Sequence, residues 1–185
     1  MHINEKKIIK DCKKGDLEKF SGLYDIYVDK IYRFIFYKTS HKETAEDLTS
    51  ETFIKALKAI DRFDDNKGAF QAWLFRIARN TVIDFYRVKK NLVNIEDVWE
   101  LGHTDNVENV LSTQDDLRKV REYLGKLTPL QREVVILRVW DNMPYKQIAE
   151  IVNITEGNCK MIFSRTIKKI RQDIPLLVML FLVGL

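Results

Sequence analysis

A run without proline or glycine, FQAWLFRIARNTVIDFYRVKK at positions 70–90, constrains this chain more than any other stretch. At about 100° per residue, Phe70, Trp73, Leu74, Ile77, Ala78, Thr81, Val82 and Phe85 fall on one side of a helix. Arg76, Arg79, Asn80, Arg87 and Lys90 fall on the other. Nothing breaks the run, so about six turns can form. A charged face usually just meets water. Here, however, it carries almost one sign, with Asp84 on the flank, and a one-sign face suits a polyanion.

The rest of the chain repeats the helical period. Asp16 is expected to cap a helix whose seam is Leu17, Phe20, Tyr24, Tyr27, Ile31, Phe34 and Ile35. Ser40-His41-Lys42-Glu43 fits a capping box. A second helix would follow, with Ala45, Leu48, Thr52, Phe53, Ala56, Leu57 and Ile60 inward. Its outer surface would carry Glu43, Glu46, Asp47, Glu51 and Lys55. Acidic residues in a first turn complement the helix dipole, which accounts for part of that cluster without a partner. Residues 61–69, DRFDDNKGA, read as a loop from their Asp, Asn and Gly content, placed where a small pocket could form. Strand signals are weak, and only three Pro and seven Gly occur among 185 residues, so an all-α fold is expected.

After position 90 the composition changes. Residues 91–116 hold Glu96, Asp97, Glu100, Asp105, Glu108, Asp115 and Asp116 with no Lys or Arg, and read as an acidic linker. Leu117, Val120 and Leu124 then mark a short helix ending near Gly125. Thr128-Pro129-Leu130-Gln131 is a start signal, with Thr as cap, Pro at the first helical position and Gln reaching back. Leu130, Val134, Ile136 and Leu137 follow. Pro144 opens a further helix with Tyr145, Ile148, Ala149 and Val152 inside, Asn153-Ile154-Thr155 turns the chain, and Thr155 caps a last helix to about Asp173. Two short helices about a tight turn, the second with basic residues at its face, make a helix-turn-helix. In that last helix Cys159, Phe163, Thr166 and Ile170 should pack inward, leaving Lys160, Met161, Ser164 and Arg165 outward. The division expected is 1–90, linker 91–116, 117–173, and an apolar tail 174–185.

Several functions find no support in the residues. The two cysteines and three histidines are scattered, without metal-ligand or disulfide spacing, so neither metal nor other cofactor is expected. No nucleotide-binding or hydrolase motif occurs, and no enzyme reading has a residue to stand on. The first residues, MHINEKKIIKDCKKGD, lack a secretory apolar stretch, so a cytoplasmic protein is expected. Net charge is +4, but its distribution along the chain says more than its sum.

Four segments in order, AEDLTSETFIKALK, FQAWLFRIARNTVIDFYR, LTPLQREVVILRVWDNMPYKQIAEIV and TEGNCKMIFSRTIKKIR, resemble the successive signatures of extracytoplasmic-function sigma factors. The resemblance covers roughly residues 17–171. It implies a non-catalytic initiation subunit of bacterial RNA polymerase, used in response to an envelope or stress signal, with core polymerase, promoter DNA and an anti-sigma factor as partners. By that resemblance, Glu46, Asp47, Leu48, Glu51 and Phe53 would dock on core polymerase. Arg62, Phe63, Asp64, Asn66 and Lys67 would hold a base flipped from the non-template strand of the minus-ten element. Arg76, Asn80, Asp84 and Arg87 would meet the DNA just upstream. Glu156, Asn158, Lys160, Met161, Ser164, Arg165 and Lys168 would read the minus-thirty-five element, and the linker would thread polymerase channels that otherwise take RNA.

The chain departs from the family pattern in places. Met161 and Ile162 stand where Ser and Arg are usual, and Ile167 where a basic residue is common; fewer cations imply a shallower salt dependence of DNA binding. The apolar ending, residues 175–185, replaces a short polar tail. As a helix its last ten residues reach only about 15 Å, too short to span a bilayer. Packing on the protein or burial in a partner is expected ahead of shallow membrane contact. The competing functional reading is an autonomous helix-turn-helix regulator, which would dimerise on a two-fold operator and would need neither the linker nor the 70–90 module.

Overall fold

The computed structural model describes residues 4–92 and 123–173, and they are helical with no strand among them. The chain divides into two compact units, Met1–His103 and Thr104–Leu185, each with its own core. The acidic linker and the apolar tail lie outside the described residues.

The first unit is built from α1 (Glu5–Lys13), α2 (Phe20–Thr39), α3 (Lys42–Ala59) and α4 (Phe70–Leu92). The 3-10 turns Leu17–Lys19 and Ile60–Arg62 precede α2 and follow α3. Helices α2, α3 and α4 pack on one another in all three pairings. Leu23, Ile31, Phe34, Ile35, Leu74, Phe75 and Ala78 meet at the centre, each with 0% exposure. The Phe34 and Phe75 rings meet edge to face at 5.3 Å, an arrangement aromatic pairs favour. Thr49 and Thr52 can lie on the buried side of α3 because their hydroxyls donate to the Ala45 and Leu48 carbonyls, at 2.6 and 2.7 Å. Polar ties among these three helices include Lys55 Nζ to Thr81 Oγ1, 3.2 Å, and Tyr86 Oη to the Lys38 carbonyl, 3.3 Å.

The structure corrects the sequence reading of this unit at several positions. Helix α1 was not anticipated; Asn4 caps it, accepting from the Lys7 amide, and Ile9 and Cys12 are buried. Asp16 makes no side-chain cap, while Leu17 and Tyr24 are 49% and 42% exposed rather than core. The cap of α3 is His41, whose Nδ1 accepts from the Thr44 amide at 3.2 Å, whereas Ser40 takes the left-handed conformation (φ 53) that ends α2. On α4, Ala72 and Phe75 join the buried set, because the helix packs against two neighbours and not one.

In the second unit, residues 123–126 are helical and lead to α5 (Pro129–Val139), α6 (Tyr145–Val152) and α7 (Glu156–Asp173). The capping box at α5 forms as expected: Thr128 Oγ1 accepts from the Gln131 amide, and Gln131 Oε1 accepts from the Thr128 amide. Val134, Ile136, Leu137, Ile148, Cys159 and Ile170 are at most 1% exposed, with Ala149 and Val152 beside them. Tyr145, expected inside, is half-buried with its ring edge-on to Phe163 at 5.7 Å. The turn between α6 and α7 places Asn153 in the left-handed region (φ 59, ψ 54), and Thr155 Oγ1 then accepts from the Asn158 amide at 3.2 Å. Asn tolerates that conformation better than most residues, so a three-residue reversal suffices.

Candidate polymerase and nucleic-acid interfaces

Three surfaces carry the residues singled out in the sequence. The first is the outer face of α3, where Glu43, Glu46, Asp47 and Glu51 are exposed. Lys42 and Lys55 approach Glu46 and Glu51 at 3.9 and 2.7 Å, but exposed pairs of this kind are worth only about 0–1 kcal/mol and leave the face acidic. Leu48 and Phe53 correct the expectation of direct contact. They are 4% and 5% exposed, and Phe53 is held against the rings of Phe20 and Tyr24. They back the acidic face from within the core.

The second surface is the 62–69 loop and the exposed side of α4. Arg62, Asn66 and Lys67 are exposed. Phe63 is not: it is 4% exposed, its ring 5.4 Å from those of Phe70 and Trp73, so it is the stem of the loop and not its tip. Asp64 closes the loop on itself. Its carboxylate accepts from the Asn66 amide and side chain, both at 3.1 Å, while Lys67 sits 3.6 Å away. The Asn66 amide first, then its side chain and Lys67, hold that carboxyl below its ordinary range. Trp73, assigned to the apolar stripe, remains half-buried beside the loop stem; its place at the stripe's edge was the signal for that. Along α4, Arg76, Asn80 and Arg87 are exposed, and Arg87 pairs with Asp84 at 2.8 Å.

The third surface is α7. Glu156, Asn158, Lys160, Met161, Ser164, Arg165 and Lys168 are all exposed, as the helical period required. Lys160 Nζ lies 2.6 Å from Glu156 and 6.0 Å from the Tyr145 ring centre. The hydrogen bond and charge of Glu156 push the Lys160 ammonium above its ordinary range. Arg138 packs on the same ring at 4.8 Å and donates to the Met143 carbonyl. Tyr145 therefore links α5, α6 and the ammonium of Lys160. No cluster of His, Cys, Asp or Glu suited to a metal exists among the described residues.

Comparison with known proteins matches the Sigma-70 region 2 family to residues 23–91 and the Sigma-70, region 4 family to residues 117–170. The ECF RNA polymerase sigma factor SigW of Bacillus subtilis (strain 168) is 34% identical over 185 residues, covering 94% of this chain and 98% of the relative. The ECF RNA polymerase sigma factor BldN of Streptomyces coelicolor is 33% identical over 177 residues, covering 91% of this chain; the match spans 65% of that relative's length. Among solved structures, the sigma factor RpoE of Bartonella quintana, determined with the anti-sigma factor NepR, superposes with a TM-score of 0.70 at 25% identity, over 84% of this chain and 96% of the other. CnrH, determined with the cytosolic domain of CnrY, gives 0.68 at 22% identity, over 88% and 91%, and supports the fold.

Proposed function

Because this chain belongs to the extracytoplasmic-function sigma factors, non-catalytic subunits that direct promoter-specific initiation by bacterial RNA polymerase, we propose a division of that work among its helices. Residues 1–90 bind core polymerase and the minus-ten element, and 117–173 bind the minus-thirty-five element. The acidic linker, 91–116, joins them, and 174–185 form an appended apolar tail. Glu46, Asp47 and Glu51 on α3 dock on core polymerase, with Leu48 and Phe53 holding that face rigid from behind. Arg62, Asp64, Asn66 and Lys67 take a base of the opened non-template strand. A loop with a buried stem and a self-closed turn suits this, because little order is lost on binding. Arg76, Asn80, Asp84 and Arg87 meet the DNA just upstream.

The observation that carries the reading is α7. A capped helix following a tight turn presents seven polar or adaptable side chains outward, and none of them is used in the core. A recognition helix in the major groove needs that arrangement. Tethering both units to one polymerase raises their effective concentration, so neither need grip DNA tightly alone. RpoE of Bartonella quintana was solved with an anti-sigma factor, and by that likeness an inhibitor of the same kind holds this chain in reserve. No helix among the described residues is long and apolar enough to cross a membrane, and a cytoplasmic site of action is proposed. Reconstituted transcription tests the reading. Core polymerase with this protein, given fragments of the source genome, is expected to initiate at a restricted set of sites that core alone does not use. Unchanged start sites on every fragment would sink it.

A further inference from the structure

Helix α1 belongs to none of the surfaces above, yet its charge is sorted more sharply than theirs. Lys6, Lys10 and Lys13 alternate with Lys7 and Lys14, and at about 100° per residue the five fall within about 120° of arc. All five are exposed. Ile9 and Cys12 occupy the opposite side and are buried. The acidic residues avoid the lysine face. Glu5 is turned onto α2, where the Tyr27 hydroxyl donates to it, and Asp11 lies at the margin. Like charges placed side by side repel, so self-contained stability gives no reason for this sorting.

The orientation of the face is fixed. A side chain added at Gly22 of α2 would come within 2.9 Å of Ile8 Cδ1, so α1 sits close against α2. At its far end Lys13 Nζ donates to the Phe63 carbonyl at 2.7 Å. Phe63 is the buried stem of the 64–69 loop, and the Ile60–Arg62 turn leading into it packs on α1. The lysine face and the loop are therefore neighbouring parts of one surface, tied through one backbone carbonyl.

We infer that the lysine face of α1 is a phosphate-binding site for the single DNA strand whose base enters the 64–69 loop, an inference that rests on the reading of that loop given above. A flexible strand held by one base has its neighbouring phosphates within reach, and a preset row of ammonium groups meets them without ordering cost. The occupant is single-stranded DNA, because the face adjoins the strand-capturing loop.

The test uses the full chain bound to core polymerase and a single-stranded 12-mer enriched on that holoenzyme from a randomised pool. The pair Lys6→Gln with Lys10→Gln is compared with an equal loss of charge elsewhere on the unit, Lys19→Gln with Lys58→Gln. Gln keeps helix propensity, so both pairs should melt like the parent. The α1 pair is expected to lower the slope of log affinity against log salt by about 0.7 per lost phosphate contact, up to about 1.4. The control pair should leave the slope unchanged. Equal changes in both pairs overturn the inference in favour of general charge, as does weakening of duplex binding by the same factor. The loop is tested alongside with Asn66→Ala and Lys67→Ala. A loop variant that binds like the parent overturns the loop reading and this one with it. A loop variant that loses affinity, beside an α1 pair that does not, overturns the α1 site alone.

Discussion

Arg165 shows what an exposed residue of α7 can and cannot do. It points to solvent near the middle of a helix whose buried side is fixed by Cys159, Thr166 and Ile170. Its removal therefore leaves the unit folded and strips one potential base contact, worth about 1–3 kcal/mol. Arg165→Ala is expected to weaken use of the upstream promoter element by roughly ten- to a hundredfold in open-complex assays while core polymerase binding stays unchanged. Equal loss in both measurements would argue that α7 supports the assembly as a whole. Leu48, Phe53 and Phe63 mark the opposite case. Each is at most 5% exposed, so on the proposed reading each would act only by supporting its charged neighbours.

Among the elements, the helix starts of the second unit were legible, because a cap is a local interaction over three residues. The Thr128–Gln131 box reads directly from TPLQ and forms in both directions. Thr128→Ala should cost about 1 kcal/mol of the second unit's stability, seen as a lower thermal midpoint for that unit, with the first unit's melting unmoved. The Ser40–His41 junction was harder. Either residue could cap α3, and only the reversal between two packed helices assigns Ser40 the left-handed turn and His41 the cap. Helix α1 was missed because its apolar positions are few and lysines surround them, although Asn4 three residues before Lys7 was a usable start signal.

Across the whole molecule, the two units have separate cores, so on the proposed division of work polymerase docking and upstream DNA reading should be alterable one at a time. The acidic residues of α3 are exposed and make only surface pairs, so reversing them should spare the fold. Asp47→Lys with Glu51→Lys is expected to weaken core polymerase binding at least tenfold, by replacing attraction with repulsion at a steered interface. Thermal unfolding and the DNA contacts of the second unit should be preserved. A variant that binds core as the parent does would remove α3 from the docking surface.

The all-helical class, the presence of two units, the caps at Thr128 and Thr155, and the outward set on α7 are legible in the residues alone. These follow from interactions within about one helical turn and from a period that repeats along the chain. Packing between helices set how far each buried arc extends beyond the stripe that the period marks. Helix α4 packs against two partners, so Ala72 and Phe75 turned inward beyond the single stripe its period suggested. Phe63 became a stem because Phe70, Trp73 and Lys13 close on it from different elements. The tie between Lys13 of α1 and the Phe63 carbonyl, at the stem of the 64–69 loop, spans fifty residues of sequence. A contact of that range exists only once α1 and α2 are docked, and no local pattern encodes it.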